Sequence, residues 1–223
     1  MAYARDMAAA PADDLDKVRS LFLQMFVRAE SMLQQAVRAL ANRDPHLARA
    51  VIDSDGALDR LEMEVDRMCV RVLALQHPTG LELRFVTTVL KMVTDLERIG
   101  DLAGNIAERT LEIGVGPGLE SGPELTEMGA RVVEMVRMAA DGFMRQDASV
   151  LANLQLADRH VDALNREGFQ RWTAVMAQHP GQVERALAFT SVCRYLERAA
   201  DHTVNLGQMI VLLVEGRDVR HAS

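Results

Sequence analysis

The chain has 223 residues, of which 49% are apolar and 26% are charged, as is typical of a folded globular protein. Its formal charge of -7 disfavours a nucleic-acid partner, because binding to phosphates requires a basic face. It has neither an apolar run of about 20 residues nor the apolar segment of a signal peptide, so we predict a cytoplasmic protein without membrane insertion. Cys69 and Cys193 lie in apolar helical patterns and are predicted to be buried, reduced thiols.

Three helices are predicted in the first half. Apolar residues spaced three and four apart mark a long amphipathic helix that ends at residue 42. Asp44 and Pro45 predict the N-cap and the first-turn proline of a second helix. The segment 77–80, His-Pro-Thr-Gly, breaks that helix, and a third continues over 81–113.

The segment 114–122 is too rich in glycine and proline for regular structure and is predicted to be a linker. After it the helical pattern starts again. Asp147 is predicted to cap the fifth helix as Asp44 caps the second, and His179-Pro180 repeats the earlier break. Residues 1–12 and 216–223 are interpreted as loose tails.

The two halves also repeat at the level of single residues. Leu-Glu-Arg-x-x-Asp-x-x-x-Asn occurs at 96–105 and again 100 residues later, at 196–205. Asp-x-x-x-Asp-x-Leu occurs at 55–61 and again 103 residues later, at 158–164. An internal repeat of this kind indicates that both halves share one fold. We therefore predict an all-α protein of two tandem three-helix bundles, 13–113 and 123–215.

The repeated motifs place acidic side chains on one face of each helix, because residues four apart lie one turn above each other. In a hairpin of two antiparallel helices, residues whose numbers average to the turn position face each other. The pairs Asp59 with Glu97 and Asp55 with Asp101 both average to 78, at the His-Pro turn. In the second unit the equivalent pairs are Asp162 with Glu197 and Asp158 with Asp201.

Four carboxylates at one level repel each other unless solvent, basic groups or a cation offset the charge. Oxygen ligands without thiolates suit a hard or borderline cation such as magnesium, manganese or iron. Arg98 and Arg198 are expected to neutralise part of the charge or to orient the ligands. The candidate metal ligands are Asp55, Asp59, Glu97, Asp101 and Asn105 in the first unit, and Asp158, Asp162, Glu197, Asp201 and Asn205 in the second.

Other interpretations stay open. The acidic faces are also consistent with solvated helix surfaces that bind only another protein, and interhelical hydrogen bonds explain Asn105 and Asn205 equally well. His202, beside Asp201, is interpreted as a helix-surface residue or as a support behind the ligands, and a role as a ligand is the lesser alternative. No Glu-x-x-His motif and no pairing of a nucleophile with a base is found, so no catalysis is predicted. A helical metalloenzyme, a hydrolase or an oxidase, is the alternative of a different class.

The segment 95–108, Asp-Leu-Glu-Arg-Ile-Gly-Asp-Leu-Ala-Gly-Asn-Ile-Ala-Glu, together with its copy at 195–205, resembles the PhoU family of regulators of bacterial phosphate uptake. The resemblance covers nearly the whole chain. It departs from the family pattern at Leu102, where a histidine is usual, and at Ala199 and Ala200, where Ile-Gly is usual.

The resemblance implies six helices in two related bundles, which commonly form a homodimer. It also implies that iron, zinc, manganese or magnesium binds at the Glu-x-x-x-Asp surfaces, here Glu97 with Asp101 and Glu197 with Asp201. PhoU proteins repress the phosphate-starvation response by linking the ATP-binding subunit of the phosphate transporter to a PhoR-type sensor kinase. Such partners would bring the protein to the inner face of the membrane.

Overall fold

The computed structural model describes residues 11–115 and 120–220, so the first ten residues, part of the predicted linker and the last three residues lie outside it. Its described residues form six α-helices and one 3₁₀ turn, which confirms the predicted all-α class and the two tandem bundles. The helices are α1 (Pro11–Asn42), α2 (Pro45–Gln76), α3 (Gly80–Ile113), α4 (Pro123–Arg145), α5 (Val150–Gln178) and α6 (Val183–Glu215); the 3₁₀ turn, Pro180–Gln182, precedes α6.

The second helix begins where the Asp-Pro pair predicts. Asp44 Oδ1 accepts the backbone N–H groups of His46 and Leu47 at 2.9 and 3.1 Å. Asp147 was predicted to be the N-cap residue of α5, but it lies two residues before the observed N-cap. It accepts the N–H of Ser149 at 2.9 Å, but α5 begins only at Val150. Residues 147–150 instead form a turn, in which the N–H of Val150 donates to the carbonyl of Asp147 at 3.4 Å.

The two bundles pack side by side through four of the six helices. Helix α3 contacts α6, and α1 contacts α4, across the boundary between the units. Within the described residues, α2 contacts only α1 and α3, and α5 contacts only α4, α6 and the 3₁₀ turn. Helices α2 and α5 therefore take no part in the junction between the units, and each pairs with the helix that follows it, α3 or α6. The acidic repeats lie on these two helix pairs.

One apolar core runs through both units. Its largest members include Phe22 and Phe26 of α1 and Phe143 of α4, while Trp172 stacks on Phe189 at 4.4 Å between ring centroids. Both cysteines are buried and free, as predicted, and burial raises the pKa of each thiol to about 12. No helix among the described residues has the length and apolar character needed to span a membrane.

Candidate functional site

The first acidic cluster forms between α2 and α3. Asp55, on α2, is half-buried, and its pKa is raised by burial and by the nearby charges of Asp59 and Asp101. Asp101 comes from α3, so the helix pair brings together the side chains that the hairpin arithmetic placed opposite each other. Asp55 and Asp101 therefore lie near each other across the hairpin, in line with the prediction.

Glu97 has a different neighbour on α2 from the one predicted. Burial, Asp101 and Glu62 raise the pKa of Glu97 to about 7, whereas Arg98 opposes this shift. Glu62, whose own pKa is raised by burial and by Asp66 and Asp59, therefore belongs to the cluster and was missed. Glu62 lies about one turn beyond Asp59 on α2. The rule that facing residues average to the turn position includes Glu62 only if a tolerance of about one turn is allowed.

Arg98 connects the two carboxylates of the first motif. Its guanidinium lies 3.3 Å from Glu97 and donates a hydrogen bond to Asp101 at 2.8 Å. Half of the Arg98 side chain is exposed, so this arginine offsets the acidic charge from the solvent side. The predicted neutralising role of Arg98 is confirmed.

The second acidic cluster repeats the arrangement between α5 and α6. Burial raises the pKa of Asp158 to about 6, with further contributions from Asp162, Asp201 and Glu197. Asp162 also raises the pKa of both Glu197 and Asp201, after burial as the first cause for each. All four carboxylates predicted for this unit therefore lie close enough to repel one another.

Each cluster contains one carboxylate oxygen that is buried without a hydrogen-bond partner. These are Oδ1 of Asp55 and Oδ1 of Asp158, which occupy equivalent positions in the repeat. A buried acceptor without a donor is unfavourable, and it is rare in folded proteins. In both units, therefore, burial destabilises the charged form of the same carboxylate, and one of its oxygens lacks a hydrogen bond that would offset this cost.

The asparagines and His202 behave differently from the carboxylates. Asn205 donates a hydrogen bond across the junction to Asp95 of α3 at 3.3 Å, so the open alternative of an interhelical hydrogen bond applies to it. His202 Nδ1 lies 2.8 Å from the same Asp95 oxygen. Asp95 was missed because its partners come from the other unit. Asn105 is half-buried on α3.

The donor set suits a hard cation, because it consists of carboxylate oxygens with an unsatisfied member in each cluster. No three acidic, histidine or cysteine side chains within residues 11–115 and 120–220 are already arranged as a metal-binding group. Ion binding would thus require the carboxylates to turn toward one another. The mutual repulsion of the carboxylates opposes that change in the absence of an ion, and a bound cation would offset the repulsion.

Comparison with known protein families follows the same division of the chain. The PhoU domain model matches twice, at residues 22–110 and 125–210. The chain belongs to the PhoU family. The two matches coincide with the two bundles and include all ten predicted ligand positions.

Individual PhoU relatives match along most of the chain. The phosphate-specific transport system accessory protein PhoU homolog of Pseudomonas aeruginosa is 34% identical over 209 residues, covering 93% of this chain and 86% of the relative. The Escherichia coli accessory protein PhoU is 28% identical over 208 residues, with 93% and 86% covered.

Solved PhoU structures share the fold. The crystal structure of PhoU from Pseudomonas aeruginosa superposes with a TM-score of 0.87 at 32% identity, covering 92% of this chain and 99% of that one. The phosphate transport system regulatory protein PhoU from Streptococcus pneumoniae superposes with a TM-score of 0.83 at 24% identity, covering 94% of this chain and 99% of that one, which supports the fold alone.

Proposed function

We propose that this protein is a metal-binding regulatory adaptor of a phosphate transport system that acts by binding other proteins and catalyses no reaction itself. The single observation that carries the metal-binding part is the recurrence of one acidic cluster, with one unsatisfied buried carboxylate oxygen, in both units. The transport-system part rests on family membership and on relatives that are named accessory proteins of phosphate transport.

The proposed ligands are the carboxylates of each cluster. Asp55, Asp59, Glu97 and Asp101 would hold an ion in the first unit, with Glu62 beside them. Asp158, Asp162, Glu197 and Asp201 would hold one in the second. A bound divalent or trivalent cation (iron, zinc, manganese or magnesium) would supply positive charge where these groups repel each other. It would also lower the raised pKa values, because a neighbouring positive charge favours the ionised carboxylate.

Elemental analysis of the purified protein tests the sites separately. We expect Glu97→Ala with Asp101→Ala to remove the ion of the first unit, and Glu197→Ala with Asp201→Ala to remove that of the second. The matched control is Glu108→Ala with Glu112→Ala, which removes two carboxylates with the same spacing from an exposed face of α3. Metal content that is unchanged in a cluster variant, or that falls equally in the control, contradicts the assignment.

We further propose that the adaptor represses the phosphate-starvation response and phosphate uptake. It would do so by contacting the ATP-binding subunit of the phosphate transporter and a PhoR-type sensor kinase at the inner face of the membrane. The homodimer implied by the family resemblance stays a prediction that light scattering can check. Support for these partners comes from the relatives, which are named as accessory to phosphate-specific transport.

Affinity capture tests the partners. From cells grown with ample phosphate, the tagged protein is expected to retain the transporter ATPase and the kinase, and a strain without the protein is expected to express starvation genes constitutively. The matched bait is the Glu108→Ala, Glu112→Ala variant, which should behave as the wild type. Normal repression in the deletion strain would rule out this regulatory role.

A further inference from the structure

The second unit has a groove of about 800 Å³ between α5 and α6. Phe169 of α5 and Leu187 of α6 line it with side chains that are 59% and 51% exposed. Large apolar side chains that stay exposed on neighbouring helices favour a role in binding another molecule. We call this surface the arginine groove; its defining residues are Arg166, Phe169, Leu187, Arg194, Tyr195 and Arg198.

Three arginines surround the two apolar side chains. Arg166, Arg194 and Arg198 form no ion pair with an acidic group in the described parts of the chain. The acidic residue on the lining is Glu197. Burial is the main cause of its raised pKa, and the charges of Arg194 and Arg198 partly oppose this rise. Three arginines against one glutamate make the lining of the arginine groove positive, and the other carboxylates of the second acidic cluster lie beyond Glu197, outside this lining.

The first unit provides an internal comparison, because most of the residues that define the arginine groove are replaced there by residues of a different kind. Phe169 and Arg166 correspond to Asp66 and Met63, 103 residues earlier. On the third helix of each unit, Leu187 and Arg194 correspond to Thr87 and Thr94, 100 residues earlier. The arrangement is therefore not a consequence of the repeated fold.

Arg198 shows the same divergence. Its counterpart Arg98 is held by Glu97 and Asp101 at 3.3 and 2.8 Å. Arg198 follows an equivalent Glu and precedes an equivalent Asp, and its charge opposes the raised pKa of both Glu197 and Asp201, but it forms no close ion pair with either and lines the groove. Its guanidinium is consequently available to a carboxylate from outside the chain, which it can bind with two parallel N–H donors.

We propose that the arginine groove docks an acidic segment of a partner protein, with an apolar side chain seated between Phe169 and Leu187 and carboxylates bound by Arg166, Arg194 and Arg198. Charge complementarity selects this occupant, because an acidic chain is repelled by most of the surface and attracted here. The proposal rests on the proposed function only in that the protein acts through protein partners.

A direct binding assay tests the docking. The probe is a fluorescein-labelled synthetic peptide with a central leucine flanked by aspartates and glutamates, and the readout is fluorescence anisotropy. Arg166→Glu with Arg194→Glu is expected to weaken binding about tenfold or more. The matched control, Arg67→Glu with Lys91→Glu, makes the same charge change on the exposed corresponding face of the first unit and is expected to leave the affinity within about twofold.

The apolar part is tested by Phe169→Ser and by a peptide whose leucine is replaced by serine, both of which should weaken binding. Circular dichroism confirms that each variant is folded. Equal weakening by both double variants, or no effect of the two serine changes, overturns the proposal in favour of general charge attraction. A groove variant that dissociates a homodimer but leaves peptide binding unchanged also overturns it. The assay uses neither metal nor transporter, so it can fail independently of the proposed function.

Discussion

At the scale of single residues, the two units use different side chains to fill equivalent space. Gly100 of α3 lies against Leu58 of α2, and a Cβ atom added at Gly100 would overlap Cδ2 of Leu58. The equivalent residues of the second unit are Ala200 and Val161. Each pair holds about the same number of carbon atoms, because one methyl group has moved from α2 to α3. All four positions are buried, so the contact tolerates little change in volume.

This complementarity predicts the outcome of a double-mutant cycle. Gly100→Ala is expected to lower the free energy of unfolding by about 1–3 kcal/mol through overpacking. Leu58→Val alone should lower it by about 0.5–1.5 kcal/mol. The double variant reproduces the pair found in the second unit and should recover most of the first loss. Urea denaturation measures the three values; strictly additive losses would show that the two side chains do not share this space.

At the scale of helix pairs, the acidic clusters make metal-free stability depend on pH. Folding raises the pKa of Glu97 from 4.5 to about 7 and that of Asp158 from 3.8 to about 6. At a pH between the pKa of the unfolded state and that of the folded state, these carboxyl groups keep their protons in the folded state and have released them in the unfolded state. The contribution of these groups is therefore fully present at low pH and is lost as the pH rises toward 7.

We therefore expect the metal-free protein, kept in chelator, to lose stability as the pH is raised from about 5 to 7.5. Glu97→Gln with Asp158→Asn should be more stable than the wild type at pH 7.5, and this difference should shrink toward pH 5. Thermal melts across the pH range measure both effects. Added Mn²⁺ should reverse the order, because the wild type retains its charged ligands. A pH profile identical in wild type and variant would contradict the electrostatic coupling.

The repeated hairpins also show how far local rules reach. The midpoint rule places Asp55 opposite Asp101 and brings Asp158 to Asp201, because two straight helices joined at a proline turn have one register. It does not assign Glu62 to the neighbourhood of Glu97, because the numbers of this pair average to 79.5 and the rule selects pairs that average to 78. Arg98 and Arg198 have the same sequence context, and only the structure distinguishes the paired one from the one that lines the groove.

At the scale of the whole molecule, the two bundles share aromatic packing across their boundary. Phe143 of α4, in the second unit, lies 4.9 Å from Phe22 and 6.0 Å from Phe26 between ring centroids, and both of these belong to α1. Its ring also stacks 6.3 Å from that of Phe85, on α3. Phe143 is 1% exposed, so it belongs to the core of the first unit as well as to that of its own unit.

Phe143→Ala is consequently expected to destabilise the entire protein by about 3–5 kcal/mol, with one unfolding transition retained. Phe143→Leu, which keeps most of the apolar volume, serves as the milder comparison and should lose less. Calorimetry and circular dichroism should report the same midpoint for each variant. Two separate transitions, with the first-unit midpoint unchanged, would mean that the bundles fold independently.

The sequence by itself determined the six helices, their main breaks, the duplication and the faces that carry acidic side chains, because these depend on periodicity, proline and residue spacing within one hairpin. Only the tertiary structure decided which side chains meet across the junction, as Asp95 does with His202 and Asn205, and which faces remain uncovered, as the arginine groove does. The physical reason is that contacts between distant helices depend on how the two units pack, and the spacing of residues within a helix does not specify that packing.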